Sequence, residues 1–251
     1  MKSFTATTLS LQQLVITNNK TISTGKRGLL ERIGLFGGTF NPIHMGHLRA
    51  ADEVRKRFPL DHIYFIPSAT PPHKEPDVLA GAADRLAMIR LAIADYPLFT
   101  ASDVEVSRPG PSYTIDTVRY YQSNLPEETD LYLIMGFDAF LEIHTWKSYL
   151  NLLKLISFIV MSRPCKEFIK SPRDWKILED YLCRRISDRY RFFAERSCYD
   201  HPDNPSLYLM DIGLTDISSS QIRHSIKTGL PIDRQVPPVV NAYIKTKGLY
   251  V

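Results

Sequence analysis

Gly37-Gly38-Thr39-Phe40-Asn41-Pro42-Ile43-His44-Met45-Gly46-His47 is the stretch that decides the fold. Ahead of it, Ile33-Gly34-Leu35-Phe36 is a short apolar run of the kind that makes a buried strand. Behind it, Leu48, Ala51, Val54, Arg55 and Phe58 recur at helical spacing. Arg32 to Phe58 therefore reads as strand, turn and helix. Gly37 and Gly38 are expected to take backbone angles closed to other residues and to leave the main chain bare, so that a polyphosphate can lie against it. A helix beginning near Met45 turns unpaired N–H groups and the positive end of its dipole toward that turn, which makes an anion site. His44 and His47, three residues apart, are expected to point the same way, one toward each side of a bound phosphate chain. Gly46 between them is expected to leave room for a base or ribose. A bare H-x-x-H would read as two histidines at a solvated helix start; the Gly-Gly turn and the strand before it favour phosphate.

Gly37 to His47 resembles the signature of the nucleotidyltransferase superfamily whose HxGH motif binds the phosphates of a nucleoside triphosphate. The resemblance implies a Rossmann-like α/β fold, a doubly wound parallel sheet with flanking helices. It also implies an ATP and phosphate site at Gly37, Gly38, Thr39 and Phe40, with His44 and His47 as the residues closest to the chemistry. Competing glycine motifs fit worse: there is no G-x-x-x-x-G-K-[ST], and no G-x-G-x-x-G opens this helix. Asn41 stands where the family more often has Asp, which leaves that side chain's role open.

Downstream of the first helix, Asp61 to Pro67 reads as a second strand, completing a right-handed βαβ unit with ligands expected at the carboxyl ends of the strands. The loop there, Ser68 to Pro76, is too proline-rich for helix or central strand. Lys74 on it is a candidate phosphate clamp. Ala82 to Ala94 reads as a second amphipathic helix and Leu98 to Val106 as a strand. Thr114 is a natural N-cap for the helix that follows. The Ser-Tyr-Thr at 112–114 also resembles a pocket element of the nicotinate mononucleotide adenylyltransferases, which implies a pyridine-nucleotide role for Tyr113 and Thr114.

Leu131 to Met135 is the most apolar strand and runs into Gly136-Phe137-Asp138. Asp138 there can accept bonds from ribose hydroxyls or cap a short helix. Trp146, with Lys147 and Tyr149 beside it, can stack on a pyridine ring or pack into the core. Gly-x-Asp followed by Thr-Trp resembles the nicotinate mononucleotide branch more than the coenzyme A branch. Ile156 to Met161 is a further strand, and Leu207 to Met210 another. Asp216 to Arg223 caps and starts a helix whose hydroxyls and N–H groups gather at one end. It resembles the superfamily's ISSTxIR pattern, implying phosphate contacts from Ser219, Ser220 and Arg223, with Ser220 in place of the usual Thr. A last helix begins at Pro237-Pro238.

The chain of 251 residues suits a single nucleotidyltransferase domain over residues 30–251, with residues 1–29 a weakly ordered extension. Residues 163–205 depart from the family pattern and read as a helical insertion, with Trp175, Leu178, Leu182, Ile186 and Phe193 on one face of a helix from Asp174 to Glu195. Hydrophobic content of 44% and charged content of 23% are ordinary, and the formal charge of +4 is spread without a nucleic-acid footprint. Cys165, Cys183 and Cys198 lack any C-x-x-C pair, so no metal site of the chain's own is expected. No apolar run reaches membrane-spanning length and no secretory signal is evident, so a cytoplasmic protein is expected. Monomer and homo-oligomer both stay open.

The resemblance implies adenylyl transfer from ATP, carried with Mg²⁺, to nicotinate mononucleotide. Alternatives are a related nucleotidyltransferase using nicotinamide mononucleotide or phosphopantetheine, and a non-catalytic nucleotide sensor. A class I aminoacyl-tRNA synthetase core fits worse, since no KMSKS-like loop is present.

Overall fold

The structure, a computed structural model, describes residues 30–70, 79–162, 172–213 and 217–251. Lys74, the extension at 1–29 and the first part of the expected insertion lie outside them. Among the described residues eight strands form one sheet: β1 (Arg32–Gly38), β2 (His62–Pro67), β3 (Phe99–Ala101), β4 (Asp130–Gly136), β5 (Ser157–Ser162), β6 (Arg191–Phe193), β7 (Cys198–Asp200) and β8 (Leu207–Asp211). Their order is β3-β2-β1-β4-β5-β8-β7-β6. Every pair from β3 to β8 is parallel, while β7 runs antiparallel to both β8 and β6.

Strand alternation builds two cores, one on each face. Phe36, Phe65, Ile134 and Ile159 meet α1 (Met45–Arg57), α2 (Ala82–Ala92), α7 (Ser219–Lys227) and α8 (Pro238–Lys247) through Val54, Met88, Ile222 and Ile244. Leu35, Leu133, Phe158 and Val160 face the other way. They meet α3 (Thr114–Asn124), α4 (Phe137–Leu141), α5 (Tyr149–Leu155) and α6 (Pro172–Tyr181) through Val118, Phe140, Leu152 and Leu178. Covering both faces is what lets the central strands be apolar throughout. Among the described residues no helix is long and apolar enough to cross a membrane.

Several sequence expectations need correction. The strand expected to reach Val106 stops at Ala101, and residues 104–109 are turns and bends. Tyr113, not Thr114, is the N-cap of α3, and Gly136, not Asp138, is the N-cap of α4. The helix expected over Asp174 to Glu195 does not run that far. It ends at Tyr181, a five-residue π-helical turn spans Leu182–Ile186, and the chain then forms the β6–β7 pair. Leu178 and Leu182 are buried as the helical pattern required. Phe193 lies instead on an edge strand, 41% exposed. Residues 172–200 are thus part helix and part antiparallel extension of the sheet.

Candidate active site

The carboxyl ends of β1, β2 and β4 lie together: Gly37 pairs with Ile66, Gly38 with Pro67, and Phe36 with Ile134. The turn after β1 opens there. Neither Gly37 nor Gly38 uses a positive φ, contrary to expectation; both complete the strand, and the left-handed residue is Phe40, at φ 48°. The glycine at 37 contributes by lacking a side chain, since the space where its Cβ would point is open. Phe40 turns its ring inward, 2% exposed, against Phe36 and Phe65. Only the backbone of Phe40 is left for a phosphate. Its ring meets His47 edge to face, with centroids 5.0 Å apart, and so supports that imidazole from below.

The two histidines share one side of the helix start, as their spacing required, and lie against each other. Their rings stack, centroids 3.7 Å apart and planes 26° from parallel, and His44 is 6% exposed. The N–H of His44 donates to His47 Nδ1 at 3.3 Å. With Nδ1 accepting, the neutral His47 ring carries its proton on Nε2 and presents that N–H as a donor. Gly46 has a steric role that differs from the one expected of it. A Cβ there would sit 2.9 Å from His44 Nδ1 and 3.6 Å from the Ile217 carbonyl oxygen. The glycine makes room for the His44 ring and for the approach of the segment leading into α7.

That approach brings the second motif to the first. Ser218 caps α7, accepting from the Gln221 N–H at 3.1 Å while the Gln221 side chain accepts from the Ser218 N–H at 2.9 Å. Because Ser218 takes the cap, Ser219 is released to donate to the Pro42 carbonyl at 2.9 Å. Arg223, one turn on, donates through Nη1 to the Asn41 carbonyl at 2.9 Å and through Nη2 to Ser220 Oγ at 3.3 Å. Two helix N-termini thus meet across the 41–42 backbone, the arrangement of donors and positive dipole ends that favours a polyanion.

Asn41, whose role was open, is 3% exposed and structural. Its Oδ1 accepts from the Ala80 N–H at 3.0 Å and from the Tyr250 hydroxyl at 2.8 Å, fastening the end of the chain to the turn. Burial pushes the Tyr250 hydroxyl well above the usual tyrosine range, which keeps it a donor. Ser112, beside the expected pocket residues, is also structural: its Oγ accepts from the Ala69 N–H at 2.9 Å, tying the loop before α3 to the loop after β2.

The residues expected at a pyridine pocket lie on the other face. Tyr113 and Trp146 are both half-buried against the second core. The Lys147 ammonium lies 4.3 Å from the Tyr113 ring centroid and 3.1 Å from Asp116 Oδ2. It therefore joins Tyr113 to the Trp146 segment, while Tyr149 turns away and donates to the Arg185 carbonyl. Asp138 is exposed in the first turn of α4, directly past β4, and Thr114 opens α3. Arg85, a buried arginine beneath the turn, was not singled out by sequence reasoning. It sat among helix surface charges in the pattern, and the signal that could have found it is its place on the core side of α2.

A family model for cytidylyltransferase-like proteins matches residues 35–225. A probable nicotinate-nucleotide adenylyltransferase of Desulfatibacillum aliphaticivorans is 40% identical over 227 residues, covering 88% of this chain and 100% of its own length. A protein of the same name from Geotalea daltonii is 41% identical over 222 residues, covering 87% and 98%. Among solved structures, Plasmodium falciparum nicotinic acid mononucleotide adenylyltransferase complexed with NaAD matches with a TM-score of 0.65 at 19% identity. It covers 88% of this chain and 97% of that one, a likeness of fold.

Proposed function

The chain belongs to the cytidylyltransferase-like family, among relatives named nicotinate-nucleotide adenylyltransferases, and from that premise we propose how its site works. It transfers the adenylyl group of ATP to nicotinate mononucleotide, giving deamido-NAD and pyrophosphate. The observation that carries the account is the docking of Ser219 and Arg223 on the 41–42 backbone, which sets the N-terminus of α7 beside that of α1.

A phosphate oxygen of the mononucleotide attacks the α-phosphorus of ATP in line, and the bond to the departing pyrophosphate breaks. No protein nucleophile is required, and catalysis comes from positioning and from neutralising charge on the oxygens. His47 donates from Nε2 to an oxygen whose charge grows in the transition state. His44 stacks beneath it and keeps it in place. Gly37, Gly38, Thr39 and the Phe40 backbone receive the phosphates on one side, and Ser219, Ser220 and Arg223 on the other; Lys74 is assigned to the same anion. Tyr113, Thr114, Asp138 and Trp146 hold nicotinate mononucleotide, with the indole against the pyridine face.

Among the described residues no three His, Cys, Asp or Glu side chains are grouped to hold a metal. The donor set of N–H groups, imidazoles and a guanidinium fits phosphate oxygens instead. A divalent cation, Mg²⁺ in this reading, therefore arrives on the triphosphate and supplies charge neutralisation there.

The test is product identification: incubation with ATP, Mg²⁺ and nicotinate mononucleotide, followed by chromatographic and mass analysis. Deamido-NAD and pyrophosphate in equal amounts support the assignment. Hydrolysis of ATP without a dinucleotide would refute it.

A further inference from the structure

We infer that Arg85 is a positioning residue for the triphosphate, drawing the Thr39 and Ala69 carbonyls of the loops after β1 and β2 inward so that the N–H groups of those two peptides, on Phe40 and Thr70, are left for the anion. This rests on the function proposed above. Arg85 is 1% exposed, and all three of its guanidinium nitrogens are engaged by backbone. Nη1 donates to the Thr39 carbonyl at 2.8 Å, Nη2 to the Ala69 carbonyl at 3.1 Å, and Nε to the Ala80 carbonyl at 2.9 Å. Thr39 belongs to the glycine turn after β1, and Ala69 to the loop after β2. Ala80 leads into α2, and its own N–H is held by Asn41.

Carbonyl oxygens carry partial negative charge, and those of an anion-binding turn repel the ligand if they face it. A peptide whose carbonyl is turned onto a cation has its N–H directed the opposite way. Arg85 does this for one peptide of each loop. A lysine would supply the charge but not a planar fork able to reach three separate segments. Buried charges are ordinarily matched by a buried opposite charge. Among the described residues no carboxylate pairs with Arg85, and the adjacent Asp84 accepts from the Tyr243 hydroxyl instead. Burial presses the guanidinium toward losing its proton, yet arginine stays charged. A cation so placed behind the turn is matched when a polyanion occupies the front of it.

The test compares wild type with Arg85→Lys in steady-state pyrophosphate release, varying ATP at saturating nicotinate mononucleotide and then the reverse. The KM for ATP should rise about tenfold or more, the scale of a lost charge-assisted hydrogen bond, while the KM for nicotinate mononucleotide changes less than about twofold. Equal changes in both, or a lowered melting temperature with unchanged KM values, would overturn the inference. A second readout uses wild type alone and does not depend on the variant folding. The ¹⁵N resonance of Arg85 Nε should shift on adding inorganic pyrophosphate and stay in place on adding nicotinate mononucleotide; no shift with pyrophosphate overturns the inference. If wild type makes no dinucleotide, the proposed function fails, and the pyrophosphate titration still judges Arg85.

Discussion

Arg223 Nη1 donates to the carbonyl of Asn41 at 2.9 Å, joining residues 182 positions apart and locking the start of α7 against the turn that follows β1. The bond is strong because its donor is charged and specific because the guanidinium fork also reaches Ser220. Replacing Arg223 by Gln keeps a donor but removes the charge. The KM for ATP is expected to rise about tenfold or more, the range for a charge-assisted bond. An unchanged KM for ATP would remove Arg223 from the phosphate site.

In the proposed mechanism His47 is the donor nearest the transferred phosphorus. His47→Ala should lower turnover on the order of 10²-fold or more, the scale for removing a transition-state donor, with little change in the melting temperature because the ring is only half-buried. Near-normal turnover in the variant would contradict the assignment.

Gly46→Ala offers a test in which two effects have opposite signs. In an open helix position alanine would stabilise by about 0.5–1 kcal/mol. Here its Cβ would come within 2.9 Å of the His44 ring, and overpacking of that kind costs about 1–3 kcal/mol. Urea unfolding should therefore show a less stable protein, accompanied by loss of activity as the His44–His47 stack is displaced. A more stable variant would mean that the ring has room to move.

The strand before Gly37, the helix from Met45 and the Ser-rich start of α7 were legible in the sequence because each is a local pattern with its own turn chemistry. That Ser219 and Arg223 grip Asn41 and Pro42 was not legible from spacing, since it depends on a parallel sheet closing across most of the chain. Arg85 was passed over because a charged residue on a helix usually faces water. The helix expected to reach Glu195 failed for another reason. Its apolar period is real as far as Ile186, and Phe192, Phe193 and Tyr199 then carry aromatic residues into short paired strands. Strand order β5-β8-β7-β6 reverses the chain there, and no local residue announces that reversal.

The two described cysteines differ in a way thiol chemistry can read. Cys183 is exposed, whereas Cys198 is buried and beside Asp200, which together push its thiol up to about 11. Only the thiolate reacts. In a Cys165→Ser background at pH 8, Cys183 should label readily with iodoacetamide. Cys198 should stay unlabelled until the protein is denatured, any residual rate increasing with pH toward 11. Equal labelling of both in the native protein would contradict the burial of β7.

In the proposed function the site joining His47 to Arg223 transfers adenylyl groups to nicotinate mononucleotide. The most direct measurement is kcat/KM for pyrophosphate release with ATP and Mg²⁺, comparing nicotinate mononucleotide, nicotinamide mononucleotide and phosphopantetheine as acceptors. The highest value, by a wide margin, is expected for nicotinate mononucleotide, with that activity lost in both His47→Ala and Arg223→Gln. Release with phosphopantetheine alone, or none with any acceptor, would contradict it.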